Sequence, residues 1–535
     1  MPDAIVLVGL SGSGKSTVAA TVAERLGRPL IDLDQDIADR LGAHPSEIIG
    51  ARGEAAFRAA EAAAVALAAQ VDGAVIATGG GAVIDPLNRW ALWNAGIVAW
   101  LDAPDEVLLS RLAAHAEDRP LLVGDAAGRL ATQRTRRERF YRAADARIDA
   151  AAPTDAVVEA VIEATRAGVP SARRLFDAVV RRDHLMGPPT ARVVLGMELD
   201  AATYDGILAP TSSGTPIVVA DRRAAAKLPE LMAALPAERR IDIASGERQK
   251  RLRTVDKLLE TASAMGAERG DAWVGVGGGV TTDMVGAAAA LYVRGVNFVA
   301  VTTTWLGMTD AAIGGKVAVD LSGAKNAAGA FWPPAAIIGD VATQRTLPRS
   351  RLLEGMAESL KSGVIGDPTL WELVETRGKA ALRNDEAARY AVIDRSVQLK
   401  LDVVDRDPFE RGERRTLNLG HTLGHALEIE SGYRLPHGKA VVLGLRAVAH
   451  IASGRGAAPG LAQRIDDVVG GLGYELRREF DSAAVKRALT TDKKRIRGRQ
   501  RWILPMDIGN VVDVGDVSEA ELDAAIAHNS AEGAR

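Results

Sequence analysis

A chain of 535 residues is too long for one hydrophobic core and calls for two to four domains. Hydrophobic residues make up 47% and charged residues 25%, an ordinary globular composition, and a formal charge of −3 with no polybasic run gives no reason to expect nucleic acid or a membrane surface as partner. No cysteine occurs, which excludes a disulfide framework and fits a reducing cytoplasm, and no apolar run reaches the roughly twenty residues a bilayer crossing needs.

The apolar run Ala4–Val8 is predicted as a buried strand. No charged segment, apolar stretch and cleavage site accompany it, so it is expected to belong to the fold and not to a signal peptide. A helix over Lys15–Leu26 follows, then a strand at Pro29–Asp32, a helix at Glu54–Gln70, strands at Ala74–Ala77 and Ile97–Leu101, and a helix at Pro104–His115. Short apolar strands separated by helices imply a parallel sheet, and residues 1–168 are expected to form this first domain. Residues 169–190, with ARR, VVRR and GPP, read as a linker. A second alternating region, 191–347, has strands near Ile217–Ala220, Trp273–Val276, Phe298–Val301 and Ala336–Ile338. From 348 to 535 helices dominate, with a strand signal returning at Arg501–Leu504. The expected class is α/β: a phosphate-loop domain with a parallel sheet, a Rossmann-like α/β domain, and a mostly helical metal-binding domain.

GLSGSGKST, Gly9 to Thr17, is a phosphate-binding loop placed between a strand and a helix, as that motif requires. Backbone N–H groups around Gly12, Ser13 and Gly14 would wrap the phosphates of ATP, with Lys15 reaching the terminal ones and Ser16, followed by Thr17, ligating magnesium. Asp32 and Asp34, at the end of the second strand, could hold a magnesium shell and a substrate hydroxyl. Taken singly, Arg58, Gly79–Gly81, Arg119 and Arg136 read as surface features. Together, at these spacings after the loop, they resemble shikimate kinase over residues 1 to about 165. The resemblance implies that Asp34, Arg58 and Gly80 bind shikimate, that Arg136 takes its carboxylate, and that Arg119 contacts ATP from a lid. Asp34 would accept the hydroxyl proton while Lys15, Arg119 and Mg²⁺ neutralise developing charge. Either Arg136 before Phe140 or Arg137 before Tyr141 could fill the carboxylate slot; the spacing to Asp145 favours Arg136.

In WVGVGGGVTTD, Trp273 to Asp283, Val280 stands where a dinucleotide fingerprint has its third glycine, so that fingerprint is absent, although the backbone at Gly277–Gly279 can still approach a pyrophosphate. Further on, three of the eight histidines, His421, His425 and His437, fall within LNLGHTLGHALEIESGYRLPHGKA, 417 to 440. Without cysteine, a soft metal here must be held by imidazole and carboxylate, the donor set of a catalytic site with an open position, and Glu358 in MAESLK is the best acidic ligand. Spacing alone pairs His421 with His425, four residues apart on one helix face.

The ordered set TTTWLGMTDAAIGGKVAVD, GAKNAAGAFWPP, GMAESLKSG, RRTLNLGHTLGH and HGKA resembles 3-dehydroquinate synthase over about 190 to 530. The resemblance implies an NAD-dependent cyclisation of 3-deoxy-arabino-heptulosonate 7-phosphate to 3-dehydroquinate, assisted by Zn²⁺ or another divalent ion such as Co²⁺. It makes Glu358, His421 and His437 the ligands and moves His425 to the phosphate end of the substrate. Lys361, Lys316, Lys325, Asn326, Lys400, Arg414, Asn418 and Lys493 or Lys494 would line the substrate, with Asp310 and Glu410 at acidic positions. Arg294 would reach across a homodimer. NAD would meet Ser245, Glu247, Lys250, Gly279, Val280, Asp283, Thr303, Thr304, Thr343 and Thr346, with Lys316 and Lys325 nearby. Thr302, Trp305, Met308, Val317, Ala324 and Lys439 depart from the family pattern and are expected to bear on pocket shape more than on reaction type. The overall expectation is a bifunctional shikimate-pathway enzyme. Its rivals are a related sugar-phosphate cyclase in the second half, or one catalytically silent, regulatory half.

Overall fold

Five short strands open the chain: β1 (Ala4–Val8), β2 (Leu30–Asp32), β3 (Val75–Ala77), β4 (Gly96–Asp102) and β5 (Ala146–Asp149). They form one parallel sheet in the order β2-β3-β1-β4-β5. Every residue of β1, AIVLV, is buried, as expected of a central strand in a helix-covered parallel sheet. The C-terminal ends of β1, β2 and β3 lead into the phosphate loop, the Asp32–Asp34 segment and Gly79–Gly81, so the expected kinase residues meet at the edge where open α/β sheets bind ligands. The computed structural model describes residues 3–114, 125–182, 187–322, 324–491, 495–496 and 499–531.

The chain divides into two units, Met1–Val179 with Arg192–Leu199, and Val180–Ala191 with Asp200–Arg535. The stretch 169–190 is not the plain linker its arginines suggest: it contains β6 (Arg173–Arg181) and leads into β7 (Thr190–Met197). The two arginines of ARR are paired with carboxylates in place, whereas Arg182 of VVRR is buried and donates to the Pro334 carbonyl at 3.1 Å. Arg173 is buried against Asp145 at 3.0 Å and donates to the Gly96 carbonyl at 3.0 Å, while Arg174 and Arg192 both pair with Asp177. A guanidinium with its own carboxylate can stand in a strand that otherwise reads as charged.

In the second unit β8 (Ile217–Asp221), β9 (Arg240–Ile243), β10 (Trp273–Gly277), β11 (Phe298–Thr302) and β14 (Ala336–Asp340) run parallel in the order β14-β11-β10-β8-β9. Between β11 and β14 the antiparallel hairpin β12 (Lys316–Leu321) and β13 (Ala324–Phe331) projects the GGK and AKN residues. Helices Arg349–Gly366, Pro368–Ala381, Glu386–Arg406, His421–Glu430 and His437–Ser453 then dominate. The expected late strand is half of a hairpin, Trp502–Asp507 with Asn510–Val514. Residues 191–347 and 348–535, expected as separate domains, fall largely in this second unit, and residues of both line one large cavity. Among the described residues no helix is long and apolar enough to cross a membrane.

Candidate active sites

At the end of β1 the backbone builds the first site. Gly9, Gly12 and Gly14 take φ values of 148°, 85° and 88°, and a Cβ on Gly9 would stand 2.5 Å from the Leu101 carbonyl oxygen. Gly14 caps helix Lys15–Leu26, whose first N–H groups therefore open into the loop. Lys15 is buried and donates to the Gly9 and Leu10 carbonyls at 2.9 and 3.0 Å. The Ser13 hydroxyl is buried with no hydrogen-bond partner among the described residues, an orphan that fits a phosphoryl oxygen in this cradle. Ser16 and Thr17 stand exposed on the first helical turn.

Asp32 accepts from the N–H groups of Asp34 and Gln35 at 3.1 and 3.4 Å, which caps helix Leu33–Leu41 and fixes the carboxylate's orientation. The Asp34 carboxylate lies against Gly79, where a Cβ would be 2.7 Å from Oδ1. Arg58 donates to Glu61 at 2.7 Å and to Glu54 at 3.1 Å, and its guanidinium fills the space beside Gly81. Glu61 escaped the sequence reading although its spacing of three from Arg58 on one helix face was the available signal. Burial raises its pKa and the nearby Asp34 adds to this, against the pull of Arg58 and Arg137.

For the carboxylate-binding position the sequence left Arg136 and Arg137 open, with Arg136 favoured by its spacing to Asp145. Arg136 is exposed, whereas Arg137 points into the site, with Nη1 3.3 Å from the position of a Cβ on Gly80. Tyr141, four residues on and so on the same helix face, donates to the Gly80 carbonyl at 2.5 Å and also interacts with Arg137. The helix face thus favours Arg137, where the spacing to Asp145 favoured Arg136. Arg119 lies outside the described residues.

The second unit holds a cavity of about 1470 Å³. It is lined by all the described residues expected to meet NAD or substrate there except Arg294, which is exposed and outside it. Lys493 and Lys494 lie outside the described residues. At the dinucleotide end the turn after β10 has no room for side chains: a Cβ on Gly278 would be 3.0 Å from Thr304 and one on Gly279 2.7 Å from Ala311. The N-terminus of helix Gly279–Leu291 is therefore bare backbone, suited to a pyrophosphate. Ser245 donates to Asp221 at 2.7 Å at the end of β8, a cavity-lining carboxylate the motifs did not flag.

Of the six departures, Val317 and Ala324 line the cavity. Trp305 is turned away into the helices, donating to Ser359 at 3.0 Å, and Lys439 pairs loosely with Glu475 at 3.7 Å. Thr302 and Met308 are buried outside the cavity lining.

Beyond the glycine turn the cavity wall is a series of ion pairs. Lys316 pairs with Glu410, Lys400 with Asp310, and Lys361 with Glu358; Lys325 pairs with Glu428 at 3.1 Å and Lys250 with Asp283 at 2.5 Å. Asn418 donates to Glu410 at 2.8 Å, and Arg414 donates to the Gly314 carbonyl at 3.0 Å. Lys250 remains protonated above the usual range, its burial outweighed by Asp283, Glu247 and Asp320. Asp283 is raised to about 6 because burial and two further carboxylates outweigh its single lysine.

Glu358, His421 and His437 converge, their ligand atoms lying within 4.8 Å of one another. Glu358 Oε1 faces His437 Nε2 at 3.3 Å and His421 Nε2 at 3.6 Å, while its other oxygen meets Lys361. Burial pushes Glu358 up, but Lys361 and His437 outweigh it and hold the carboxylate ionised below the usual range. Burial also opposes charge on His437, yet Glu358 and Glu428 raise it to about 10. A pocket that draws a proton so strongly between carboxylates fits a divalent cation. Spacing alone would have chosen His425, whose ring lies 5.3 Å from that of His421; it lines the cavity but does not share the group with Glu358.

Glycines bring these helices together. A Cβ on Gly420, which has φ 76°, would stand 2.7 Å from the Val441 carbonyl oxygen, and one on Gly438 would be 2.6 Å from Glu354 Cα. His421 and His437 therefore reach Glu358 because Gly420 and Gly438 let three backbones touch.

Residues 11–166 match the shikimate kinase family, 240–354 the N-terminal part of 3-dehydroquinate synthase and 355–495 its C-terminal part. The 3-dehydroquinate synthase of Xanthomonas campestris pv. campestris (strain 8004) is 40% identical over 291 residues, 52% of this chain and 78% of that protein. The structure of 2-epi-5-epi-valiolone synthase from Streptomyces hygroscopicus subsp. jinggangensis 5008, with NAD⁺ and Zn²⁺ bound, is similar with a TM-score of 0.59 and 29% identity, covering 65% of this chain and 98% of that one. A 2-deoxy-scyllo-inosose synthase shares the fold at a TM-score of 0.57 and 22% identity, covering 65% of this chain and 99% of the other.

Proposed function

The chain belongs to the 3-dehydroquinate synthase family and carries a shikimate kinase domain ahead of the synthase, and from that premise we propose how its residues perform two reactions of aromatic biosynthesis. In the kinase half, Arg58 and Arg137 bind the carboxylate of shikimate and Asp34 accepts the proton of the hydroxyl that attacks ATP. Lys15 swings from the Gly9 and Leu10 carbonyls to the terminal phosphates. Ser16 and Asp32 would hold Mg²⁺, which would supply charge neutralisation, a task that Arg119 would share.

In the synthase half, Ser245, Lys250, Thr303, Thr304, Thr343 and the turn at Gly279 would hold NAD, which would supply reversible hydride chemistry to the heptulosonate phosphate. Glu358, His421 and His437 would hold Zn²⁺ or Co²⁺, which would supply Lewis acidity to the substrate. Lys361 fixes Glu358 so that Oε1 turns inward. Lys316, Asn418, Arg414 and His425 hold the sugar acid phosphate, and Asp310 keeps Lys400 charged for the same task. Arg294, exposed on this chain, reaches the site of a second copy in a homodimer, and the enzyme works in the cytoplasm.

The observation that carries the synthase reading is the convergence of Glu358, His421 and His437 on the cavity that contains the glycine turn. The full-length chain should phosphorylate shikimate, cyclise the heptulosonate phosphate and hold one equivalent of zinc or cobalt. His437→Ala should lose the metal, whereas His425→Ala should keep it and lose turnover. Lys15→Ala should abolish phosphorylation with cyclisation intact. Turnover of a different sugar phosphate in place of the heptulosonate would replace this reading with that of another carbocycle-forming cyclase.

A further inference from the structure

We propose that Glu428 is a positioning residue for the metal ligand His437, setting its tautomer and strengthening its bond to the cation. The inference rests on the metal reading of Glu358, His421 and His437. Nothing in the HxxxH spacing or in the family matches points to Glu428; the side-chain geometry does.

The two imidazoles are set in the same sense. His421 Nδ1 is 3.1 Å from the Leu419 carbonyl oxygen, which leaves Nε2 facing Glu358. His437 Nε2 also faces Glu358, and its Nδ1 lies 3.6 Å from Glu428 Oε2. An imidazole that binds a cation through Nε2 must keep its proton on Nδ1, and an acceptor at Nδ1 fixes both the tautomer and the ring plane. For His421 that acceptor is a neutral carbonyl. For His437 the facing group is a carboxylate at ion-pair distance. A small turn of the ring on binding a cation brings it to a hydrogen bond, and its charge raises the basicity of the opposite nitrogen further.

Glu428 is itself held. Its side chain is 3% exposed, and Oε1 pairs with Lys325 at 3.1 Å while Oε2 faces the histidine. The carboxylate therefore bridges a cavity-lining lysine and a metal ligand, and its place on helix His421–Glu430 ties His437 to the helix that carries His421. His425, Glu428 and His437 also lie close enough to hold an ion of their own, so the test must separate the two arrangements.

The experiment uses full-length protein stripped of metal, with zinc affinity read by competition against a chromophoric chelator and with the visible spectrum of the Co²⁺ form. Glu428→Gln keeps volume and removes charge. It should weaken zinc binding ~10- to 100-fold and shift the cobalt bands, with NAD affinity unchanged as evidence that the site is folded. Glu428→Ala should weaken zinc further. An unchanged zinc affinity and cobalt spectrum in Glu428→Gln would overturn the inference. So would a stoichiometry of two zinc ions in the wild type falling to one, which would make Glu428 a ligand. Equal zinc loss in Lys325→Met would also overturn it, by assigning the effect to the lysine. If the wild type binds no metal, the metal reading itself fails; if it binds and the variants match it, only the role of Glu428 fails.

Discussion

The kinase site and the synthase site solve the binding of phosphorylated ligands by opposite means. The first is built mainly of backbone: a glycine loop, a helix N-terminus and a few side chains at the ends of parallel strands, with Arg58 about one-third exposed. The second is built of charged side chains taken out of water, Lys361 and Glu358 being 3% and 2% exposed. A backbone site needs the correct local path and little else. A buried charged site needs every partner present, because a single unpaired ion in a low-dielectric interior is far costlier than the pair is helpful.

The sharpest way to break the comparison is Lys361→Met. It leaves Glu358 buried without its lysine, and the metal-stripped synthase unit should lose about 3–5 kcal/mol, read from its unfolding transition in denaturant. Loading zinc should recover much of that loss, since the cation replaces the missing charge. Asp283 gives the next effect. Its carboxyl holds a proton up to about pH 6 in the folded protein and only to about 3.8 when unfolded, so stability should fall as pH rises between those values, by about 3 kcal/mol. Asp283→Asn should flatten that window in a series of melting curves.

On the kinase side, Arg137→Ala should raise the KM for shikimate about 10- to 100-fold, the loss of a charge-assisted hydrogen bond, with Arg136→Ala within about twofold of wild type. Equal effects would show that the helix face does not decide which arginine binds. The smallest effect belongs to Lys439, which pairs at the surface with Glu475. Lys439→Glu should move stability by less than about 1 kcal/mol and leave both activities near wild type.

The same contrast explains what the sequence made legible. The phosphate loop and the buried strands were readable because each is contiguous: β1, β10 and β11 are continuous apolar runs, and Gly9–Thr17 carries its whole geometry in nine residues. Strand β6 was hidden because its arginines look solvated until Asp145 and Asp177 are brought to them. Arg136 and Arg137 could not be separated by distance along the chain, because the face of their helix is what turns one of them toward Gly80. Glu61 and Glu428 went unseen for another reason: each acts on a functional side chain, Arg58 or His437, and leaves no motif of its own. His437 itself was assigned through resemblance. Its approach to Glu358 depends on Gly438 meeting Glu354, a contact between helices 79 residues apart in the ligand pair they carry.

The lysine–carboxylate pairs around the synthase cavity have one more consequence. Lys316, Lys325, Lys361 and Lys400 each already hold a protein carboxylate, so a phosphorylated sugar acid does not fall into an open field of positive charge. To reach a lysine it would have to displace the carboxylate already paired there. The long-range attraction is small and selectivity resides in contact geometry, so capture of the substrate by this half should be largely indifferent to ionic strength.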